Sequence, residues 1–218
     1  EKGLKINPDD LGHHTNRMLF MLANPDLNDD AFLEAGRAYA KSAEGPWKAE
    51  WPSFEHKNRD PSRRLKVGFL SPDFRNHSVM YFTEGLLARL NRSHFEVFAL
   101  YLYPTGDATT ERVKQHADHS FNFSGVSPEG LTKQLRELDL DIEVELTGHT
   151  GHNGLPVMAR KVAPVQVSSL GFPGTTGLTA IDYRISDPFT DPPDGQRFYA
   201  EKLWRLNALF GVYRPCIN

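Results

Sequence analysis

Cysteine is almost missing from this sequence. Only Cys216 occurs among 218 residues, which excludes an internal disulfide and any cysteine-held metal cluster. So close to the end of the sequence, it reads as an inert thiol. Long apolar runs are missing too, so no stretch is suited to span a bilayer as a helix. Excess charge is small: 25 Lys and Arg face 28 Asp and Glu, a net charge of −3. Neither nucleic acid nor an acidic membrane therefore has an electrostatic reason to bind. The charge runs are short and mixed and read as solvated faces. Two nucleotide signatures are absent. No G-x-G-x-x-G fingerprint and no Gly-Lys-Ser/Thr P-loop occurs, so a nicotinamide or ATP site has no support. The sequence opens without the basic-then-apolar pattern of a secretory signal, and a reducing, cytoplasmic setting is expected. What remains is ordinary for a soluble protein: 39% hydrophobic and 24% charged residues. The length suits one α/β domain of roughly 150 residues with an appendage.

The appendage comes first. Residues 1–44 read as a helical segment. Arg17-Met18-Leu19-Phe20-Met21-Leu22 is apolar, and Asn24-Pro25-Asp26-Leu27 breaks it. Asp29-Asp30 is expected to cap a second helix on which Phe32, Leu33, Gly36, Ala38, Tyr39 and Ala40 recur at near-helical spacing. The pair resembles one unit of a helical repeat, with no second copy in the sequence. Residues 45–63 read as a proline-punctuated linker, with Pro46, Pro52 and Pro61, whose Trp47 and Trp51 pin it to a surface.

From residue 64 to 218 the pattern is β-α repeated. Strands are expected at 66–70, 95–102, 120–123, 142–146, 165–170 and 183–186, with a short one within 201–206. Helices are expected at 81–90, 110–116, 128–138 and 155–159. Ser127-Pro128 is a helix start, serine as cap and proline in the first turn. Strands so apolar, separated by helices, belong to a parallel sheet covered on both faces, a Rossmann-like α/β arrangement. Ligands of such sheets bind beyond the carboxyl ends of the strands.

Three loops leave from that end. Ser71-Pro72-Asp73-Phe74-Arg75-Asn76-His77 follows the first strand. His77 has the side chain suited to proton transfer near neutrality, and a carboxylate four residues away can orient it. The alternative is that Asp73 caps the next helix and His77 bonds a loop carbonyl. Gly148-His149-Thr150-Gly151-His152 follows the fourth strand. It is either a ligand loop or a tight turn that needs glycine. Leu170-Gly171-Phe172-Pro173-Gly174-Thr175-Thr176-Gly177 follows the fifth. Its backbone N–H groups and hydroxyls suit a sugar or phosphate. His77, His149 and His152 lack a metal-ligand spacing, so no metal site is expected. His13 and His14, ahead of the first apolar helix, read as exposed residues of a capping region.

Together these pieces carry a resemblance. Lys66-Val67-Gly68-Phe69-Leu70-Ser71-Pro72-Asp73-Phe74-Arg75-Asn76-His77, Phe95-Glu96-Val97-Phe98, Arg160-Lys161-Val162-Ala163-Pro164-Val165-Gln166-Val167, Gly171-Phe172-Pro173-Gly174-Thr175-Thr176-Gly177 and Asp182-Tyr183 resemble, in order and spacing, the O-GlcNAc transferase (SPINDLY-like) family. The likeness covers about residues 64–215. The resemblance implies the N-terminal, Rossmann-like lobe of a two-lobed GT-B glycosyltransferase, preceded by the end of a tetratricopeptide-type (TPR-like) region. It also implies that the C-terminal lobe, which binds most of the nucleotide, has no counterpart here.

The implied activity is transfer of N-acetylglucosamine from UDP-GlcNAc to serine and threonine hydroxyls of an acceptor protein. The nucleotide sugar is a substrate, and neither cofactor nor metal is implied. His77 matches the family's histidine beside sugar and diphosphate, proposed as its general base, and Asp73 the aspartate of the same motif. Leu170, Gly171 and Pro173 match the loop packed on the donor sugar, with Gly174 and Thr175 in the same loop. His149 stands where some relatives have tyrosine, with Thr150 beside it. Val79 replaces a threonine near the sugar. Thr15 or Asn16 stands where the animal enzyme has a histidine, with His14 close by. Two other readings stay open. One is a transferase using GDP-fucose or UDP-glucose. The other is a non-catalytic protein-binding module built on the repeat-like helices, Arg63-Arg64 and the linker tryptophans. The chain by itself is expected to transfer little or nothing.

Overall fold

The computed structural model describes residues 2–215; Cys216 lies outside them. Seven strands form one wholly parallel sheet in the order β3-β2-β1-β4-β5-β6-β7. They are β1 (Leu65–Ser71), β2 (Phe95–Tyr101), β3 (His119–Asn122), β4 (Ile142–Glu145), β5 (Val165–Ser168), β6 (Tyr183–Ser186) and β7 (Lys202–Arg205). The helices are α1 (Lys2–Ile6), α2 (Leu11–Met21), α3 (Asp29–Glu44), α4 (Met80–Leu87), α5 (Ala108–Gln115), α6 (Pro128–Leu138) and α7 (Leu155–Met158).

The pleat sorts the apolar residues into two cores. On β1 and β2, Val67, Phe69, Val97, Ala99 and Tyr101 face α4 and α5, while Leu70, Phe98 and Leu100 face α3, α6 and α7. Successive strand residues point to opposite faces, so a strand apolar at every position needs cover on both. Leu135 of α6 and Leu87 of α4 are fully buried on either side; each such side chain stabilises by about 2 kcal/mol. The edge strand β3 is the exception, with all four residues exposed.

Local chemistry explains most of the ends. Ser127 accepts from Gly130 N–H as N-cap of α6, and Pro128 fills the first turn. The second helix starts one residue earlier than expected: Asn28, not Asp29, takes the Asp30 and Ala31 N–H groups. Asp29 and Asp30 sit in the first turn, where acids favour the dipole. Strand β5 stops at Ser168 rather than 170, because Leu170 takes a left-handed φ of 59°.

The leading helices share the sheet's core. Tyr39, Ala40 and Ala43 of α3 lie in the same cluster as Leu70 and Leu178. Segment 45–63 is fastened too. The Arg160 guanidinium lies 3.7 Å above the Trp47 ring, and Trp51 donates to Ala159 O at 3.0 Å. The two arginines considered for partner binding are engaged inside the chain: Arg63 pairs with Asp141 and Arg64 with Asp118. Burial opposes the charge on Asp141. Donors from Arg63, Lys57 and the Lys66 N–H outweigh it and hold the carboxyl down at about 2.

The topology locates the crevice. From β1 the chain passes to α4 on one face, and from β4 to α7 on the other. Strands β1 and β4 are neighbours, so the winding reverses between them, which is the switch point where such sheets take ligands.

Candidate active site

Three loops stand side by side over this point, because β1, β4 and β5 are adjacent and parallel. A strand spacing of roughly 4.8 Å puts the ends of β1 and β5 about 10 Å apart. A fourth segment crosses them. Phe210 N–H donates to Asp187 at 2.9 Å and Arg214 N–H to Tyr81 O at 2.7 Å. A Cβ on Gly211 would meet both the Phe82 ring and Leu170 Cδ2 within 4 Å, so this strap joins the start of α4 to the loop after β5.

The loop after β1 is held from below. Phe74 is buried against Tyr101, and its carbonyl accepts from Thr110 Oγ1 at 2.6 Å. Asp107 accepts from Asn76 N–H at 2.6 Å. This leaves His77 half-exposed at the rim. Its Nδ1 accepts from Val79 N–H at 3.3 Å, so the neutral ring carries its proton on Nε2. Asp73 is buried, with an oxygen 3.6 Å from the same Nδ1 and the other 3.5 Å from Arg75 Nη2. Neither plain alternative holds: no side chain caps α4, and His77 bonds an N–H rather than a carbonyl.

The loop after β4 is fixed by a carboxylate inside the sheet. Glu145 is fully buried and accepts from Gly148 N–H at 2.7 Å and Gly154 N–H at 3.4 Å. Burial raises its pKa to about 7 against the pull of these hydrogen bonds. Glu143, two residues earlier on the same face, is fully buried with neither oxygen partnered among the described residues. Burial, then the neighbouring Glu145, drives its pKa well up, which favours the uncharged form. The space comes from β1: a Cβ on Gly68 would lie 2.1 Å from Glu143 Oε2.

Gly148 is needed for two reasons. Its φ is +58°, and a Cβ there would fall 2.2 Å from Phe172 Cβ. His149 has no exposed surface. Its ring meets Tyr39 edge-on at 4.7 Å and Phe172 at 5.2 Å. It is thus behind the loop and not on an open rim. Burial lowers its pKa to about 4, partly offset by a hydrogen bond to Thr176 O. Thr150 is half-buried.

The loop after β5 closes onto the loop after β4. Gly171 N–H donates to Leu146 O at 3.1 Å, and a Cβ at Gly171 would strike that oxygen at 2.2 Å. Arg184, buried on β6, donates to Phe172 O at 2.8 Å. Glu44 at the end of α3 takes Thr179 Oγ1 at 2.8 Å and Ala180 N–H at 2.7 Å. Leu170 and Gly171 are half-exposed and Pro173 is exposed, whereas Gly174 and Thr175 are buried. The candidates therefore divide. His77, Thr150, Leu170, Gly171 and Pro173 reach the surface; Asp73, His149, Gly174 and Thr175 support them from inside. His13 is exposed beside Asp10 as expected, but His14 is buried, bonded to Pro8 O at 2.7 Å and edge-on to Tyr39.

Glu44, Glu145, Arg184 and Glu201 were not foreseen. For Glu145 and Arg184 the available signal was charge inside strands that otherwise read as doubly covered. Among the described residues no group of three or more His, Cys, Asp or Glu is arranged to hold a metal, and no helix is long and apolar enough to cross a membrane.

Comparison with known proteins agrees with this architecture. The probable UDP-N-acetylglucosamine–peptide N-acetylglucosaminyltransferase SPINDLY of Petunia hybrida is 36% identical over 97% of this chain and 23% of its own length. The protein of the same name from Solanum lycopersicum is 37% identical over the same shares. A K341M mutant of the Thermobaculum terrenum O-GlcNAc transferase superposes with a TM-score of 0.89 at 29% identity, covering 95% of this chain and 40% of that one. The chain thus spans under a quarter of the length of these curated relatives. The profile of glycosyl transferase family 41 matches residues 48–213, and the chain belongs to that family.

Proposed function

We propose that this chain is the N-terminal catalytic lobe of a two-lobed GT-B protein O-glycosyltransferase. It moves N-acetylglucosamine from UDP-GlcNAc to serine or threonine hydroxyls of acceptor proteins in the cytoplasm. Helices α2 and α3 are the end of a TPR-like region, and a C-terminal lobe supplies most of the nucleotide site. The observation that carries this reading is the convergence of the three loops at the switch between β1 and β4, with the His77 ring at their rim.

The reaction is a displacement at the anomeric carbon. The acceptor oxygen bonds to that carbon, the bond to the diphosphate oxygen breaks, and the acceptor's proton passes to a base. The lobe's part is to position the sugar and stabilise the leaving charge. Leu170, Gly171 and Pro173 hold the sugar by shape and by backbone groups, buttressed by Gly174, Thr175 and His149. Thr150 lines the same crevice. With Nδ1 occupied by Val79 N–H, His77 offers its Nε2–H to an oxygen of the donor. Taking the acceptor's proton requires the other tautomer, with Nδ1–H turned to Asp73 3.6 Å away.

The test is donor turnover and protein glycosylation by a polypeptide carrying both lobes. His77→Ala is expected to lower kcat by about 10²–10⁴-fold with an unchanged melting temperature, since the ring is half-exposed. Wild-type turnover in that variant removes His77 from the mechanism.

A further inference from the structure

Glu201, just before β7, lies 26 residues beyond Thr175, yet its side chain ends inside the loop after β5. It is 1% exposed. One oxygen accepts from Thr175 Oγ1 at 2.6 Å. The other accepts Thr176 N–H at 2.7 Å and also the Thr176 hydroxyl. Among the described residues the two hydroxyls donate to Glu201 and to no other acceptor. Thr175 Oγ1 already accepts Gly177 N–H at 3.0 Å and Ala200 N–H at 3.1 Å. Thr176 Oγ1 accepts Leu178 N–H at 3.3 Å. The arrangement therefore asks for an acceptor on both oxygens, which a carboxylate supplies and an amide does not.

The clamped segment reaches further. Thr176 O lies 2.8 Å from His149 Nε2. A carbonyl only accepts, so Nε2 carries the proton, and the buried neutral ring has a bare Nδ1. That nitrogen is buried without a partner among the described residues. On its other side the segment cannot retreat: Gly177, at φ +80°, packs on the backbone of Gly36 in α3, where a Cβ would fall 2.2 Å from Gly36 C. Glu201 and α3 thus hold 175–177 between them.

We infer that Glu201 is a positioning residue for the sugar loop: its carboxylate clamps Thr175 and Thr176 and, through the Thr176 carbonyl, dictates which nitrogen of His149 bears the proton. The sugar assignment rests on the function proposed above; the clamp and the tautomer do not.

In Glu201→Gln, the amide NH2 faces either the Thr175 hydroxyl, whose lone pairs are both occupied, or the Thr176 N–H, itself a donor. In Thr176→Val, the backbone N–H and C=O remain; one bond to Glu201 goes, and so does the Leu178 N–H bond to the hydroxyl. The readout is the ¹⁵N NMR pattern of the His149 ring at neutral pH, with the amide shifts of Gly177 and Leu178. The wild type is expected to hold one neutral tautomer, protonated at Nε2. Glu201→Gln should give a mixture of tautomers and move both amides, and Thr176→Val should do the same to a smaller extent. An unchanged ring and unchanged amides in Glu201→Gln overturn the clamp. Should that variant not fold, an unchanged ring and an unchanged Gly177 amide in Thr176→Val overturn it. In the two-lobed protein, Glu201→Gln should lower kcat/KM for UDP-GlcNAc by about 10²-fold, chiefly through KM. A change of tautomer with kcat and KM for the donor untouched overturns the positioning role. A wild-type protein that consumes no nucleotide sugar overturns the sugar assignment and leaves the clamp standing.

Discussion

Glu145 gives the sharpest quantitative test of how the site is built. Its carboxyl is wholly enclosed, and burial lifts its pKa from 4.5 to about 7. The folded protein therefore holds this proton more tightly than the unfolded chain. Below about pH 4.5 both states are protonated, and the contribution to stability is complete. As pH rises towards 7, the unfolded chain loses its proton first and stability falls; above 7 both are ionised and the loss is finished. A shift of 2.5 pKa units corresponds to about 3 kcal/mol. Glu143, also raised, acts in the same direction. Replacing Glu145 by Gln removes its titration and the repulsion it exerts on Glu143. Urea unfolding at pH 4.5, 6 and 8 measures the effect. The stability of the wild type relative to Glu145→Gln is expected to drop by about 3 kcal/mol across that range. A relative stability constant to within about 0.5 kcal/mol would show that Glu145 titrates normally, and the account of the buried β4 carboxylates would be wrong.

Two further outcomes follow from the same geometry. Gly148→Ala combines a positive φ with a Cβ 2.2 Å from Phe172 Cβ; a loss of at least about 2 kcal/mol is expected, which a thermal melt reads as a fall of roughly 4–8 °C. Asp141, held at about 2 against an ordinary 3.8, contributes about 2 kcal/mol above pH 4 that is lost as pH falls through 2; in Asp141→Asn the acid limb of an unfolding profile should flatten by that amount.

The sheet was legible because its signals are local. Apolar runs such as Val67-Gly68-Phe69-Leu70, broken by glycine and proline loops, name both the strand and the edge where its loop emerges. The same holds for the loops themselves, and so the segments that carry His77 and Leu170 were placed at that edge of the sheet. What was not legible depends on partners far along the chain. Glu44 meets Ala180 across 136 residues, and Glu201 meets Thr175 across 26. No local pattern distinguishes these carboxylates from solvated ones. His149 was placed in the correct loop, but its burial depends on Tyr39 from α3 and Phe172 from the next loop. Nor does the sequence around Leu170 announce a left-handed residue; tertiary contacts at Gly171 impose it.

The central claim is that the loops after β1, β4 and β5 together receive the donor sugar. Amide hydrogen exchange of the two-lobed protein, with and without UDP-GlcNAc, tests it most directly. The account predicts slower exchange in 71–77, 148–151 and 171–177, with the amino ends of the same strands unchanged. Protection absent from all three loops, or confined to the opposite edge of the sheet, would contradict it.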